Sequence, residues 1–282
     1  MKTIGFVSDF FRNDLLGGAE SNDDNLINYL SQFYNVHSIK SNLFSLKDVK
    51  ECDAIIVSNF LLLQQNVIDA IIKSKKYIIY EHDHKYVATR DPGKFLNFAI
   101  PKKHIVNEEF YSSAKTVVVL TQICKDIINT NVPGASVHSI GCSLWNTKTF
   151  DLLESLSYQQ KDKELCVMKS NNLTKNYLNT LNFCQQNNLI PESIESDNYH
   201  EFLNLMSRYQ KFLFIPTVLE TFSRICAEAK MMNVSVMTNK RLIGLFSEDY
   251  SSQNGSELID TLKQKNAAAY DFFRTEIQEI CG

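Results

Sequence analysis

Residues 212–239, FLFIPTVLETFSRICAEAKMMNVSVMTN, restrict the fold of this chain more than any other stretch. An apolar run at 212–215 has the length and composition of a short buried strand. Pro216 interrupts it, a helix follows from about Thr221, and a second apolar run at 234–238 forms another strand. A strand, a helix and a strand in this order make a βαβ unit, which pairs its strands in parallel because the crossover returns the chain to the same end of the sheet. Parallel sheets are covered on both faces, so the rest of the chain has to supply alternating helices.

It does. Strands are expected at 3–7, 34–39, 54–58, 77–80, 116–120 and 137–140. Between them lie a helix carrying Leu26, Ile27 and Leu30, a helix at 61–72, a short helix near 107–113 and a helix at 121–129. The pattern restarts with a strand at 165–168, a helix ending near 186 and a helix at 199–209. Residues 241–248 hold a loop and short turn, and 256–280 form one or two helices. The restart predicts an N-terminal Rossmann-like domain at 1–146, a C-terminal one at 147–255 and a helical segment at 256–282 that packs back toward the first. The expected fold class is therefore α/β, with two Rossmann-like domains facing across a cleft.

Composition narrows the function class. A hydrophobic fraction of 44% with 22% charged residues describes an ordinary globular chain, and a net charge of −3 gives no general attraction to nucleic acid or anionic membrane. The cationic groups at 73–76 and 102–104 are small and fit solvated faces. Seven cysteines lie scattered without C-x-x-C or metal-ligand spacing, and an odd number suggests reduced thiols. The start, MKTIGFVSDF, reads as a strand rather than a signal peptide, and no apolar run is long enough to span a bilayer, so a cytoplasmic location without membrane insertion is expected. Trp145, the only tryptophan, fits a packing anchor better than a stacking platform.

The candidate site residues stand where strands end. Glu220 lies at the loop–helix junction of the 212–239 unit, and Glu228 lies eight residues later, about two turns along the expected helix. A helix N-terminus offers unpaired N–H groups and a positive dipole end to a phosphate. A carboxylate inside that helix is placed to accept both hydroxyls of a ribose. The plainer alternatives are a helix-start acid favoured by the dipole for Glu220 and a solvated face for Glu228.

Glu220, Phe222, Ser223, Glu228 and Ala229 resemble the E-x7-E motif of family 4 retaining glycosyltransferases, in which glycines often replace Thr221 and Ser223. The resemblance implies a GT-B fold, with Glu220 at the transferred sugar and Glu228 at the ribose. It assigns Thr221, Phe222, Ser223 and Arg224 to the donor site and Lys175 to the donor diphosphate. Lys169 or Arg224 would take the place of the arginine that usually accompanies the lysine. Gly17-Gly18-Ala19-Glu20, after the first strand, is similar to the Gly-Gly-x-Glu loop that borders the donor diphosphate.

The strand at 77–80 runs into Glu81-His82-Asp83-His84-Lys85-Tyr86, with Arg90 beyond. In an extended segment His82 and His84 share a face. Two readings stay open, a metal site lacking a recognisable third ligand and a sugar- or acceptor-recognition site. The resemblance implies that His82 and Asp83 meet the donor sugar or the acceptor hydroxyl, and that His84, Lys85 and Arg90 lie on the acceptor side. The EHDHKY…R stretch is also similar to short phage-encoded glycosyltransferases, including those that glucosylate hydroxymethylated DNA. The expected substrate pair is a nucleoside-diphosphate sugar, with UDP favoured, and a hydroxyl acceptor, modified DNA or a glycan. No further cofactor or metal is expected, and the chain would act as a monomer or homodimer. The rivals are a sugar-nucleotide epimerase of the same fold, which leaves the nucleotide on the sugar, and a two-lobed sugar or nucleotide receptor without turnover.

Overall fold

A computed structural model describes all 282 residues. The chain divides into two units, Met1–Trp145 with Lys265–Gly282, and Asn146–Gln264. The first contains β1 (Thr3–Ser8), α1 (Gly18–Leu30), β2 (Asn35–Lys40), α2 (Leu46–Glu51), β3 (Ala54–Val57), α3 (Gln65–Ser74), β4 (Tyr77–Tyr80), α4 (Glu108–Ser112), β5 (Thr116–Val119), α5 (Gln122–Asn131) and β6 (Val137–Ser139). The second contains α6 (Thr147–Ser157), β7 (Lys163–Met168), α7 (Tyr177–Gln186), β8 (Glu192–Ile194), α8 (Tyr199–Ser207), β9 (Tyr209–Leu213), α9 (Arg224–Met231) and β10 (Ser235–Met237). One long helix, α10 (Gly255–Cys281), begins in the second unit and ends in the first.

All strand pairs are parallel, as the crossover helices require. The first sheet has the order β2-β1-β3-β4-β5-β6 and the second β10-β9-β7-β8. Each order reverses once, between β1 and β3 in the first sheet and between β7 and β9 in the second. At such a switch point the flanking loops leave in opposite directions and open a crevice at the carboxyl ends of the strands, where α/β proteins bind ligands. Strands β3, β4 and β5 are buried along their whole length, which explains their unbroken Val, Ile and Tyr runs.

Several boundaries differ from the sequence expectation for identifiable reasons. Helix α3 starts at Gln65 rather than residue 61, because the Asp9 carboxylate accepts from the amides of Leu61 (2.9 Å) and Leu62 (3.1 Å) and holds them outside the helix. Helix α9 starts at Arg224 rather than Thr221. Glu220 is bridged to Ile243, its N–H donates to Leu242, and Phe222 accepts from Leu245, so the backbone of residues 220–222 is tied to 242–245 instead of forming a helical turn. Strand β9 begins at Tyr209, two residues after α8 ends, since Tyr209 pairs with Lys163 of β7. Helices α2 and α6 and strand β8 carry no long apolar run and were not expected. Their signals are local, such as the Ser45–Asp48 capping box on α2 and the Asn146 side chain accepting from Thr149 N–H at 2.9 Å on α6.

Within the first unit, the end of α10 packs on the sheet. Tyr270 stacks on Tyr29 at 4.4 Å, and Phe272 stacks on His138 at 3.7 Å. Asn266 clamps the backbone of buried Trp145 through both its amide groups, which makes the tryptophan an anchor. None of the cysteines is bridged. Burial pushes the thiols of Cys166 and Cys226 up to about 12, so both are protonated packing residues. No helix is long and apolar enough to cross a membrane.

Candidate functional site

The second unit brings its candidate residues together at the β7/β9 switch point. Lys175 ends a short 3-10 turn beyond β7, and Glu220 lies on the loop beyond β9. The Lys175 ammonium donates to the Glu220 carboxylate at 2.8 Å and lies 5.6 Å over the Phe214 ring. Two loops hold the lysine in place. Thr217 N–H donates to Thr174 O at 3.0 Å, and the Asn176 side chain donates to Ile215 O at 2.9 Å.

Ser223 is the N-cap of α9 and has a left-handed backbone, φ 69°. Few residues with a Cβ adopt that conformation, which supplies a physical reason for glycine at the equivalent place in the motif it resembles. Its hydroxyl is buried beside the Cys226 thiol without a well-formed hydrogen bond. A donor left unpaired at a helix N-terminus is placed to meet an anion. Ser223→Gly is expected to stabilise the fold by about 1 kcal/mol, by removing left-handed strain and a buried unpaired hydroxyl. Urea unfolding checks this, and an unchanged or lowered midpoint would contradict it.

Glu228 is buried rather than solvated, and it lies one turn into α9, not two. Arg224, four residues earlier, approaches its carboxylate at 3.5 Å, and the Tyr199 hydroxyl donates to it at 2.6 Å. Burial raises the Tyr199 phenol far above its ordinary range, so it remains a donor at any working pH. Phe222 is fully buried, so its side chain is a core anchor and only its backbone borders the site. Thr221 is half-buried beside it. Lys169 stands apart from this group and pairs with Glu195, next to the end of β8, at 2.6 Å.

The first unit builds a second cluster at its own switch point. Ser8 ends β1 and Ser58 follows β3, and both hydroxyls donate to the Asp23 carboxylate, at 3.2 Å and 2.7 Å. His82, two residues beyond β4, meets the same carboxylate through Nε2 at 3.0 Å. Asp23 fixes which imidazole nitrogen faces it and so orients the ring. Gly17 is the N-cap of α1 and Gly18 its first residue. A Cβ on Gly17 would sit 2.1 Å from Glu20 Oε2, so the glycine lets that carboxylate fold over the helix start. Burial raises the pKa of Glu20.

The segment after His82 departs from the expectation. His84 has φ 59°, its carbonyl accepts from Val87 N–H, and the chain turns there instead of running extended. His82 and His84 therefore do not share a face. His84 is buried against Tyr86, with Nδ1 3.1 Å from the Tyr86 hydroxyl. Lys85 is also buried, held by Glu81 at 2.8 Å and Asp83 at 2.6 Å. Neither side chain is presented to an acceptor. Asp83 is partly exposed and is gripped by Lys85 and by the half-exposed Arg90. Glu81 accepts additionally from the Tyr111 hydroxyl and Asp83 N–H. No group of three or more His, Cys, Asp or Glu side chains stands close enough to hold a metal ion.

Burial pushes the His84 imidazole from 6.5 down to about 3. The unfolded chain then takes up a proton below pH 6.5 that the folded chain refuses. Stability falls with pH from 6.5 toward 3, by up to about 1.4 kcal/mol per pH unit from this group. His84→Asn keeps a residue tolerant of positive φ and removes that proton. Its stability profile between pH 6 and 4 should be shallower than that of the wild type, and an equal slope would refute the assignment.

No known family profile matches the chain, and no curated protein sequence matches it significantly. Solved structures do. Sucrose-phosphate synthase from Thermosynechococcus elongatus superposes with a TM-score of 0.62 at 10% identity, over 98% of this chain and 99% of that one. An alpha-glucosyltransferase in complex with UDP and a 13-mer DNA containing an HMU base gives 0.51 at 11% identity, over 99% and 94%. The same kind of enzyme with UDP and DNA containing a central A:G mismatch gives 0.53 at 12% identity, over 99% and 94%. The fold is the GT-B fold. The cluster of the second unit, Lys175, Glu220, Ser223, Arg224 and Glu228, stands at the switch point of that unit's sheet. Asp23 and Tyr199, which orient His82 and Glu228, escaped the sequence reading. The one available signal for Asp23 was the polar run SNDDN on a helix that must bury one face.

Proposed function

We propose that this protein is a glycosyltransferase of the family 4 type that moves a sugar from a nucleoside-diphosphate sugar, preferably a UDP-sugar, to a hydroxyl with retention of the anomeric configuration. The observation that carries the reading is the meeting of Lys175 and Glu220 at the β7/β9 switch point, next to the N-terminus of α9 and one turn from buried Glu228. Lys175, the Ser223 hydroxyl and the α9 N-terminus hold the diphosphate, and Glu228, steadied by Tyr199, accepts the ribose hydroxyls. Arg224 adds a second cation beside them.

In the reaction the bond from the anomeric carbon to the β-phosphate oxygen breaks, and its electron pair leaves with the nucleoside diphosphate. The acceptor oxygen bonds to the anomeric carbon on the same face, and its proton passes to the departing phosphate oxygen. Lys175 and Arg224 stabilise the charge that develops on the leaving group, a role that needs no metal ion. Glu220 balances positive character on the sugar, and His82 and Asp83 orient the sugar or the acceptor hydroxyl. The acceptor is modified DNA or a glycan; the superposition on an enzyme solved with UDP and DNA, together with the EHDHKY…R stretch, is compatible with a phage-type enzyme and the first of these. Unbridged cysteines and a nucleotide-sugar substrate fit a cytoplasm.

The test is incubation with a panel of UDP- and GDP-sugars, with and without hydroxymethylated duplex DNA, following free nucleoside diphosphate and the anomer of the product by NMR. Release with one donor and a product of unchanged configuration is expected. Inverted product contradicts retention. A changed sugar still bearing its nucleotide identifies an epimerase, and tight binding of a nucleotide sugar without release in any mixture indicates a receptor.

A further inference from the structure

The excursion between β4 and α4 contains a surface that the donor site does not use. Its base is stapled as a short antiparallel pair. Val87 bridges Ile105, Ala88 N–H donates to His104 O, and Val106 N–H donates to Tyr86 O, each at 2.9 Å. Beyond the staple, the Asn131 side chain donates to Phe98 O at 3.0 Å and accepts from Ile100 N–H at 2.8 Å. Asp91 caps a short turn through Gly93 N–H. Arg90, Asn97 and Phe98 all hold positive φ. A loop tied at so many points, with a phenylalanine in a left-handed conformation, is a built shape.

What it presents is specific. The solvent-facing charges between residues 88 and 104 are Arg90, Lys94, Lys102 and Lys103; Arg90 is paired with Asp83 and Lys102 with Glu108 at 3.0 Å, so Lys94 and Lys103 are the cations of the loop without an ion pair. The one acid of the segment, Asp91, is buried. The chain as a whole carries a net charge of −3, so general attraction to polyanions would not bring nucleic acid to this loop. Leu96 projects from the same loop with 84% of its surface exposed, beside the left-handed Asn97. Arg90 joins the loop to Asp83 of the candidate site.

We propose that residues 88–104 grip the phosphate backbone of double-stranded nucleic acid, with Leu96 as a wedge against the base stack, and that the acceptor hydroxyl is carried by that nucleic acid. The proposal rests on the transferase reading. Cations on a rigid loop neutralise phosphates without reading sequence. A single apolar side chain among them suits insertion at a base step, whereas a lipid surface calls for a broad apolar face. A base bearing the acceptor hydroxyl has to leave the stack to reach a site at the strand ends, and a wedge fills the space it vacates.

The test is fluorescence anisotropy of the full chain with a labelled duplex, plain or hydroxymethylated, across a salt series. The Lys94→Ala/Lys103→Ala double variant alters exposed side chains outside the site, so it should keep wild-type UDP affinity. It is expected to bind duplex about tenfold more weakly at 0.2 M salt, with a log–log salt slope smaller by about two. Leu96→Ala should keep the slope and lose the rise in 2-aminopurine fluorescence that reports unstacking. Wild type that fails to bind duplex, or a double variant with unchanged slope, overturns the proposal. So does preferential binding to phosphatidylserine vesicles that the double variant loses. Duplex binding with these variant effects but no nucleotide release from any sugar donor leaves the loop assignment standing and removes the transferase reading.

Discussion

Lys175→Ala is expected to lower kcat/KM for the nucleotide sugar by about 10²- to 10³-fold, the usual cost of removing one pre-placed group that stabilises leaving-group charge. The same change should cost the folded state only about 1–2 kcal/mol. Lys175 keeps 28% and Glu220 15% of its side-chain surface exposed, so the pair lies between a surface contact and a fully buried one. Activity and stability are therefore predicted to separate. Glu220→Gln should also impair transfer, and the double variant should lose less than the product of the two single losses, since the groups touch at 2.8 Å. A Lys175→Ala enzyme within threefold of wild type would show that the lysine serves only to hold its loop.

Lys85→Ala is expected to do the reverse, costing about 3–5 kcal/mol of stability. Its ammonium is fully buried between Glu81 and Asp83 and lies 5.6 Å over the Phe60 ring, so its removal strands a buried carboxylate. Glu81→Gln with Lys85→Met should recover most of the loss, because no unpaired charge remains inside and the apolar stem is kept. Urea unfolding of the two variants beside the wild type decides the matter. A loss below about 1 kcal/mol in Lys85→Ala would mean that water reaches the pair.

These two lysines show what was legible in the sequence. Both stand at strand ends among ligand-type residues, and the local pattern treats them alike. The alternation of short apolar runs with amphipathic helices revealed the parallel sheets, and the E-x7-E spacing located Glu220 and Glu228. Their surroundings were hidden because they come from distant parts of the chain. Lys175 meets Glu220 across 45 residues, His82 meets Asp23 across 59, and Tyr199 meets Glu228 across 29. The turn at His84 was illegible for another reason. An extended backbone is the default after a strand, and the carbonyl–amide contact from His84 to Val87 that bends it leaves no mark in residue type. Helix α9 started late for a similar reason, its first expected turn being drawn into pairing with residues 242–245.

The central claim is that Glu228 and its neighbours hold the ribose of a nucleoside diphosphate. Calorimetric titration of wild type and Glu228→Gln with UDP and with 2′-deoxy-UDP tests it most directly. Wild type should bind UDP roughly 10- to 100-fold more tightly than the deoxy ligand, the difference made by one hydrogen bond to a charged acceptor. Glu228→Gln should bind both weakly and nearly alike. Equal affinity of the wild type for the two ligands, or no binding of UDP, would contradict the assignment of this site.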